Sequence, residues 1–299
     1  MTRCALPASP TDKHVLDLLT HGHLAGLVGS STAGRSLLRS ALDAAAERTA
    51  VLVHGPRGAG KRAFATAVHR LSGAAGPLAV VPLGELPAGE HHDRLFGGDD
   101  GPGLWRTCID GTLVLAELDA LSDTAQRGLV RHLDSGRGPR VIALTRRGRG
   151  DIGLRAELTW RLALRIVDLP HLRDRDVDIE LIAQHHLARL GPDAEGAAWR
   201  MTLDAVHALR RHTWPGNIRE LLGVLDRATD RAGRGPIRVV HLGLERPPAL
   251  AVATPLADVE RQVVEQAMAE LDGNVSEVGR KLEIPRSTLY RKLKRWGIR

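Results

Sequence analysis

The sequence predicts an α/β domain built on a parallel sheet, followed by a helical region and a small helical unit at the C-terminal end. In the first half of the chain, short apolar runs alternate with helical patterns, which is typical of a parallel sheet covered by helices on both faces. After Pro170 the pattern becomes wholly helical. With 299 residues, of which 43% are hydrophobic, the chain is long enough for two or three such units.

Five apolar runs are the predicted strands of the sheet, and helical patterns such as 63–71 and 122–133 separate most of them. The predicted strands are 51–54, 78–83, 112–118, 141–145 and 165–169. In an open parallel sheet, ligands bind beyond the carboxyl ends of the strands. The residues that directly follow each strand are therefore the first place to search for a site.

A glycine-rich loop after the first of these strands is a strong local signal. The segment HGPRGAGKR has the spacing of a phosphate-binding loop in Gly55, Gly58, Gly60 and Lys61, but places Arg62 where Ser or Thr usually holds magnesium. Lys61 is the only Lys between residues 14 and 280, although 42 residues of the chain are Lys or Arg. Because a compact ammonium suits a phosphate cradle, we predict that this loop binds ATP or ADP. The alternative is a lysine placed by chance on a surface helix.

The helical half contains three predicted amphipathic helices, at 175–190, 202–212 and 214–229. The last of them opens with a turn at Pro215-Gly216. From 234 to 255 the chain is expected to loosen, and its ERPPALAVATP segment is typical of an extended linker.

The last 45 residues predict a helix-turn-helix that binds duplex DNA. Two short helices flank Glu283, the second is entered by Pro285, and 285–299 holds six basic residues and no acid. Arg286, Ser287, Thr288 and Tyr290 are the candidates for base readout, and Arg291, Lys292 and Lys294 for phosphate contacts. The alternative is a solvated basic face on a helical bundle. An apolar helical face is the candidate dimer surface, and it comprises Leu256, Val259, Val263, Val264, Ala267, Met268 and Leu271.

Composition narrows the class of protein further. A net charge of +7 and a pI near 10.2 favour a nucleic-acid partner. Cys4 and Cys108 lie far apart without metal-ligand neighbours, which fits a reducing compartment. The longest apolar runs stop near six residues and the first 24 residues lack a signal-peptide core, so we expect a cytoplasmic protein with no membrane contact.

Two resemblances cover nearly the whole chain. From Gly29 to about Arg231 it resembles the AAA+ domain of bacterial enhancer-binding proteins, the activators of sigma-54 RNA polymerase. The matching segments are LVGSS, HGPRGAGK, RLFG, DGTLVLAEL, LRAELTWRL, LPHLRDRDVDIELIAQHHL and WPGNIREL. The C-terminal end resembles the Fis family in Gly273-Asn274, in Ser276 and in RSTLYRKL at 286–293.

The resemblance implies an AAA+ P-loop NTPase core with a parallel sheet, a helical lid and an all-α helix-turn-helix domain. The expected division is a tail at 1–22, the core at 23–170, the lid at 171–240, a linker at 241–254 and the DNA-binding domain at 255–299. The resemblance also implies that Glu117 prepares the attacking water and that Arg155 and Arg161 reach the phosphate bound by a neighbouring subunit. Arg219 matches the lid arginine. Family members commonly carry Glu after the loop lysine, so Arg62 is a smaller departure than a general P-loop comparison suggests.

Several positions depart from the family pattern. The third strand should end in Asp-Glu, but here the pair is Ala116-Glu117, and a methyl group cannot join an oxygen-ligated magnesium shell. Asp119 lies two residues further on and would need the strand to end differently. Arg146 stands where the family has the asparagine that senses the γ-phosphate. The loop that touches sigma-54 is shortened between Gly97 and Gly103, and no input module is expected before Gly29.

Three functions stay open at this point. The first is a DNA-binding transcriptional regulator that acts as at least a homodimer, whose AAA+ domain serves nucleotide sensing or assembly with weak ATP or ADP binding and impaired hydrolysis. The second is an active ATPase that opens sigma-54 polymerase with Mg²⁺ and ATP. The third is a dimerisation scaffold without nucleotide. RNA polymerase is kept as a candidate partner, with the sigma-54 contact in doubt.

Overall fold

The computed structural model describes residues 22–99, 101–148, 153–192, 196–244, 264, 267–268, 271, 275–282 and 284–296. The chain divides into two compact units, one up to Leu244 and one from Glu245 onward. Residues 1–21 of the predicted tail, and Leu256, Val259 and Val263 of the predicted dimer face, lie outside the described residues. Among the helices that are described, none has the length and apolar character needed to span a bilayer.

The first unit begins with a parallel sheet of five strands, preceded and interrupted by two small hairpins. Its strands are β1 (His23–Leu24), β2 (Leu27–Val28), β3 (Val51–His54), β4 (Leu78–Pro82), β5 (Gly97–Gly98), β6 (Gly101–Pro102), β7 (Thr112–Ala116), β8 (Arg140–Thr145) and β9 (Arg165–Asp168). The large sheet has the order β4-β7-β8-β3-β9, and its paired strands are parallel. The hairpins are β1–β2 and β5–β6. All five strands predicted from the apolar runs are confirmed, with ends that differ by at most two residues.

Helices cover both faces of this sheet. They are α1 (Thr32–Ala46), α2 (Lys61–Leu71), α3 (His91–Phe96), α4 (Leu104–Thr107), α5 (Asp123–Asp134) and α6 (Ala156–Leu162). Side chains alternate along each strand, so Val51 and Val53 of β3 enter one core with Phe64, while Leu52 enters the other core with Leu115. The sheet is therefore buried on both faces, which is why its strands read as continuous apolar runs.

The strand β7 ends two residues earlier than the sequence predicted. Its last residue is Ala116, and Glu117 adopts a left-handed backbone with φ 59° and ψ 50°. A non-glycine residue in this region is uncommon and cannot continue a strand. A 3₁₀ turn at Leu118–Ala120 follows and reverses the chain.

A helical lid follows the sheet within the same unit. Its helices are α7 (Asp176–Leu190), α8 (Leu203–Arg211), α9 (Asn217–Ala232) and α10 (Val239–Leu242), and they share a core around Trp214 and Leu225. The loosening expected at 234 is wrong. Ile237 is fully buried and bridges to Met201, and α10 packs on α9, so the ordered lid continues to Leu244.

A buried ion pair fastens the lid to the loop that follows β2. Asp178 accepts hydrogen bonds from the backbone N–H groups of Ser30 and Ser31, both at 2.6 Å, and from the Ser31 hydroxyl at 2.7 Å. Arg175 donates to Asp178 at 2.8 Å and to the Val28 carbonyl at 2.7 Å. Burial alone would raise the pKa of Asp178, but the Ser31 and Arg175 hydrogen bonds outweigh it and lower that pKa.

The second unit has its own small core. Helices α11 (Val275–Lys281) and α12 (Arg286–Trp296) form the predicted helix-turn-helix, and Pro285 directly precedes α12. The turn is tight, because a Cβ atom on Gly279 would lie 3.0 Å from the Ile284 carbonyl oxygen. Glu283, predicted to lie in this turn, is outside the described residues.

Candidate functional site

The phosphate-binding loop lies where the sequence placed it, between the end of β3 and the start of α2. Gly58 and Gly60 have positive φ values of 78° and 97°, which side chains rarely adopt. Gly60 is also the N-cap residue of α2 and has no side chain to occupy the first N–H groups of that helix. Those N–H groups and the positive end of the helix dipole therefore favour an anion.

Lys61 lies inside this loop. Its Nζ donates hydrogen bonds to the carbonyl oxygens of Gly55 at 2.6 Å and Pro56 at 2.8 Å. Burial lowers its pKa to about 8, and the Arg146 guanidinium acts in the same direction. The carboxylates of Asp119 and Glu117 raise the pKa again, but less. The ammonium is thus half-buried between cationic and anionic neighbours.

The carboxylates near Lys61 come from the irregular end of β7. Ala116 is buried and offers only a methyl group, as its sequence position predicted. The left-handed Glu117 turns the chain so that Asp119 returns toward β8, where Asp119 accepts a hydrogen bond from the Thr145 hydroxyl at 3.4 Å. The sequence left Asp119 conditional on how the strand ends, and the early end of β7 meets that condition. Asp119 and Glu117 therefore share the electrostatic surroundings of Lys61.

Arg146 belongs to the same surroundings. It follows β8 directly, and its carbonyl oxygen lies 3.2 Å from Nε2 of His54 at the end of β3. Nδ1 of His54 lies 3.1 Å from Asp168 at the end of β9. His54 thereby links three neighbouring strand ends, a role that the sequence did not indicate. Where the family has a neutral asparagine, this site has a cation that lowers the pKa of Lys61.

The lid closes on the phosphate-binding loop through α9. Asn217 is buried with φ 55°, and its side chain donates to the Arg57 carbonyl at 2.9 Å and accepts from the Leu172 N–H at 2.9 Å. The N–H of Arg219 donates to the Gly58 carbonyl at 3.3 Å. A Cβ atom on Gly58 would overlap the Gly216 carbonyl oxygen, so the two backbones touch. Asn217 stood in the WPGN segment, but sequence reasoning missed its role.

Two predicted nucleotide residues, Arg62 and Arg219, are exposed beside the loop and make no side-chain hydrogen bond to it among the described residues. Arg62 is exposed on α2, and its backbone carbonyl accepts a hydrogen bond from the Thr66 hydroxyl at 3.0 Å. Arg219 is also exposed, although its charge lowers the pKa of Lys61 and places it within electrostatic range.

The two arginines expected to act on a neighbouring subunit lie apart from Lys61 and are paired within the chain. Arg155 makes a bidentate ion pair with Asp123 at the start of α5, with Nε at 2.5 Å and Nη2 at 3.1 Å. Arg161 makes a bidentate pair with Asp134 at the end of α5, at 2.7 and 2.8 Å. Both pairs are exposed, so either arginine can exchange its carboxylate for another anion at small cost.

The two carboxylates of the site provide a test of fit for magnesium, which prefers oxygen ligands and keeps several waters. Glu117 and Asp119 supply such oxygens beside the phosphate-binding loop. Ala116 and Arg62 supply none. The residues present therefore fit a metal held by one or two carboxylates and by phosphate oxygens, rather than a metal caged by protein ligands.

The second unit presents most of the predicted DNA-contacting residues on α12. Ser287, Tyr290, Arg291 and Lys294 are exposed, whereas Leu289 and Leu293 on the opposite face are buried. Thr288 and Lys292 are half-buried, and Nζ of Lys292 lies 5.6 Å from the centroid of the Trp296 ring. The side chain of Arg286 is outside the described part of the chain.

Part of the predicted dimer face is used inside the second unit. Val264, Ala267 and Met268 are buried in one core with Val278 and Leu289. These three residues are therefore covered by the unit's own helices. The face that they share with Leu256, Val259 and Val263 is not wholly available to a second chain.

Three known protein families match successive segments of the chain. Residues 27–147 match the sigma-54 interaction domain, 173–250 the AAA+ ATPase lid domain, and 255–296 the bacterial regulatory protein, Fis family. The transcriptional regulatory protein ZraR of Salmonella typhi is 32% identical over 90% of this chain and 68% of its own length. This chain belongs to the bacterial enhancer-binding protein family.

A solved structure and a further relative are also similar to this chain. The crystal structure of NtrX from Brucella abortus in complex with ATP has a TM-score of 0.68 and 26% identity, covering 96% of this chain and 72% of that one. A Geobacillus stearothermophilus protein named limonene hydroxylase is 33% identical over 87% of this chain, which spans only 54% of that relative's length. The hydroxylase activity in this name belongs to that relative. The phosphate-binding site described above does not support assigning it to this chain.

Proposed function

We propose that this family member is a DNA-binding transcriptional regulator whose AAA+ domain binds ATP or ADP weakly and hydrolyses ATP very slowly or not at all. The observation that carries the proposal is the end of β7, where a buried Ala116 replaces the metal-binding carboxylate beside a phosphate-binding loop that keeps its glycines and Lys61. The domain then reports nucleotide state or assembles the protein, and α12 reads DNA.

Nucleotide binding is supported by the loop itself. Gly58, Gly60 and the first turn of α2 form a backbone cradle, and Lys61 supplies a positive charge inside it. The lid already touches this loop through Asn217. The structure of the similar NtrX in complex with ATP supports nucleotide binding by this chain.

Impaired hydrolysis is supported by the charges around the loop. Phosphoryl transfer depends on positioning and on a correctly held magnesium ion. Ala116 removes one metal ligand, and Arg146 places a cation where the family has a neutral group. Glu117 can still orient water, and Asp119 lies close enough to Lys61 to raise its pKa. Those two carboxylates, with Arg155 and Arg161 acting on a neighbouring copy, are the source of any residual rate.

The test of the nucleotide site is an affinity and turnover series on the full chain. ATP and ADP binding are measured with and without Mg²⁺ for the wild type, Lys61→Ala, Ala116→Asp and the control Lys281→Ala in the other unit. We expect weak binding with a modest Mg²⁺ dependence in the wild type and the control, loss of binding in Lys61→Ala, and a stronger Mg²⁺ dependence in Ala116→Asp.

The other two functions give different results in this series. Fast wild-type turnover that Lys61→Ala abolishes would establish an active ATPase, which the position of Asp119 favours. Absence of binding in the wild type would establish a scaffold without nucleotide.

DNA binding is supported by the exposed polar face of α12 and its basic residues. We expect selection from random duplexes to yield a roughly palindromic site, as a two-fold dimer requires. Ser287→Ala and Tyr290→Ala should relax the selected sequence, whereas Lys294→Ala should weaken all sites alike and reduce the salt slope by about 1. Recovery of no enriched site would contradict the proposal.

Loss of the sigma-54 contact is supported by the short β5–β6 hairpin, whose strands have two residues each and pair Gly98 with Gly101. A hairpin of this length lacks the Phe-Thr pair that the family carries there. In transcription reconstituted with sigma-54 polymerase, we expect no ATP-dependent open complex. Clear activation would show that another surface has replaced the loop.

A further inference from the structure

A cleft lies at the amino ends of the sheet strands, whereas the phosphate-binding loop lies at their carboxyl ends. It has a volume of about 950 Å³ and lies beside the amino ends of β3 and β8 and the residues that precede β7. Its size falls within the range of small-molecule sites. None of its lining residues belongs to the phosphate-binding loop or to α12, and Arg161 is the one lining residue that the proposed nucleotide function also uses.

A buried, incompletely bonded arginine lines this cleft. Arg140 is 5% exposed, and its Nη2 donates to the Ala44 carbonyl, but its Nε and Nη1 have no hydrogen-bond partner in the described part of the chain. Among the described residues no carboxylate forms an ion pair with Arg140, since the nearby Glu47 pairs with Arg165 at 2.7 Å. A buried cation in this state is costly unless an anion joins it.

The rest of the lining is cationic and apolar. Arg48, Arg137 and Arg161 join Arg140, and the carboxylates in the lining are Asp110, 3.8 Å from Arg48, and Asp134, which pairs with Arg161. Positive charge is therefore in excess inside the cleft.

Two of the most exposed apolar side chains of the unit form one wall of the cleft. Trp160 is 78% exposed and Leu164 69% exposed, and Ile109 adds a third exposed apolar residue. Apolar side chains grouped around a concave surface mark a binding site rather than scattered surface residues. An apolar wall beside unpaired cations suits a ligand with a carboxylate and a hydrocarbon or aromatic body.

The opposite wall connects the cleft to the β5–β6 hairpin. Trp105 and His132 line the cleft, and His132 stacks on Phe96 with ring centroids 4.2 Å apart. Phe96 directly precedes β5, so a ligand that moves His132 or Trp105 changes the support of the hairpin. The Arg161–Asp134 pair in the lining connects the same cleft to one of the two arginines expected to act between subunits.

We propose that this cleft is an effector site for a small organic carboxylate with an apolar body. The carboxylate pairs with Arg140 and the surrounding arginines, and the apolar body lies against Trp160 and Leu164. Binding is then communicated to the β5–β6 hairpin through His132 and Phe96. The site is separate from the phosphate-binding loop around Lys61, and Arg161 is the residue that connects it to the neighbouring subunit.

The test uses octanoate as the probe on the full chain, with calorimetry for affinity and tryptophan fluorescence for location. Leu164→Asp puts a carboxylate in the apolar wall, and Leu203→Asp on α8 is the matched control, since Leu203 is 78% exposed and lies in the lid. We expect the wild type and Leu203→Asp to bind octanoate, and Leu164→Asp to bind it about tenfold or more weakly, because the new carboxylate repels the carboxylate of the ligand and removes part of the apolar wall. Trp160→Phe should reduce the fluorescence response while binding persists.

Further arms distinguish the alternatives. Octyl glucoside has the same chain without the charge and should not compete; equal binding of the glucoside would overturn the carboxylate assignment. Arg140→Gln should also abolish binding, and Leu164→Asp keeps the test valid if that buried substitution unfolds the protein. Failure of octanoate to bind the wild type, or equal binding by Leu164→Asp, would overturn the site. A Leu164→Asp protein that changes its light-scattering mass but keeps its octanoate affinity would show that a second copy covers the cleft.

Discussion

At the scale of single residues, Lys61 has two roles. It is the cation of the phosphate-binding loop, and it titrates at mildly alkaline pH. Burial first, and then Arg146, lower its pKa to about 8. Its charge is therefore lost within the working range of a binding assay. Its ammonium donates hydrogen bonds to the Gly55 and Pro56 carbonyl oxygens, which hold the loop around it.

We expect nucleotide affinity to fall as the pH rises through about 8, because the neutral amine loses its attraction for phosphate. ATP affinity is measured between pH 7.5 and 9.5 on the wild type and on Lys61→Arg, whose guanidinium does not titrate there. The Arg variant should show a flat profile, whatever its absolute affinity. A wild-type profile as flat as that of Lys61→Arg would show that Lys61 does not contact the phosphates.

Asp178 is a second residue whose charge matters, in this case for stability. Removal of the carboxylate in Asp178→Ala leaves Arg175 buried without its partner and the Ser30 and Ser31 N–H groups unpaired. We expect a loss of about 3–5 kcal/mol in the free energy of unfolding, measured by denaturant titration. Asp176→Ala, two residues away and exposed, is the control and should change it little. An equal loss of unfolding free energy in the two variants would contradict the conclusion that Asp178 holds the lid against the loop after β2.

The same carboxylate gives a pH dependence with a defined sign. The pKa of Asp178 is lower in the folded protein than its ordinary value of 3.8, so the folded state holds fewer protons and is favoured above that value. This contribution is lost as the pH falls below about 4 and through the folded pKa. The acid limb of the stability curve should therefore be shallower in Asp178→Ala than in the wild type.

At the scale of secondary-structure elements, the contact between the phosphate-binding loop and α9 is the decisive one. Two features of the structure require glycine at position 58. Its φ of 78° is one that side chains rarely adopt, and the Gly216 backbone lies where a Cβ atom would be. Gly73, at the end of α2, has a similar φ of 61°, but a Cβ atom added there would meet no atom within 4 Å among the described residues. The two glycines therefore separate backbone strain from steric contact.

We expect Gly58→Ala to lower nucleotide affinity sharply, because the new methyl group forces the lid away from the loop. Gly73→Ala should only reduce stability, by about 1–2 kcal/mol from the left-handed backbone. Thermal melting and ATP titration of both variants separate the two effects. Similar affinities in the two variants would argue that the contact with α9 does not support the nucleotide site.

The elements also show where sequence periodicity was sufficient. Continuous apolar runs predicted β3, β4, β7, β8 and β9 because strands buried on both faces need apolar residues throughout. The end of β7 was predicted two residues late, since the left-handed turn at Glu117 carries no glycine to announce it. The loosening expected at 234 was wrong because Pro and Gly residues there read as a linker, while the burial of Ile237 depends on contacts with Met201 far away in the sequence.

At the scale of the whole molecule, the two units have separate cores. Leu289 is fully buried among Val264, Met268 and Val278, whereas the nucleotide loop belongs to the other unit. We expect Leu289→Ala to remove about 2–5 kcal/mol from the second unit, which has a small core and should unfold. DNA binding should disappear while ATP affinity and the main melting transition stay unchanged.

Tyr290→Ala is the matched control on the same helix, because Tyr290 is 56% exposed. It should leave the second unit folded by circular dichroism and change only DNA recognition. A loss of ATP affinity in Leu289→Ala would show that the two units are energetically coupled.

The sequence by itself determined the order of the units, the parallel sheet, the phosphate-binding loop and the recognition helix, because each of these depends on local spacing or periodicity. It also determined that position 116 carries no metal-binding carboxylate, because the methyl side chain of Ala116 cannot ligate a metal in any fold. Only the tertiary structure decided that Asp119 returns to the surroundings of Lys61, that Asn217 joins the lid to the loop, and that Arg155 and Arg161 pair with α5. The cleft around Arg140 belongs to the same group, because its walls come from segments distant in the chain that only the folded sheet brings together.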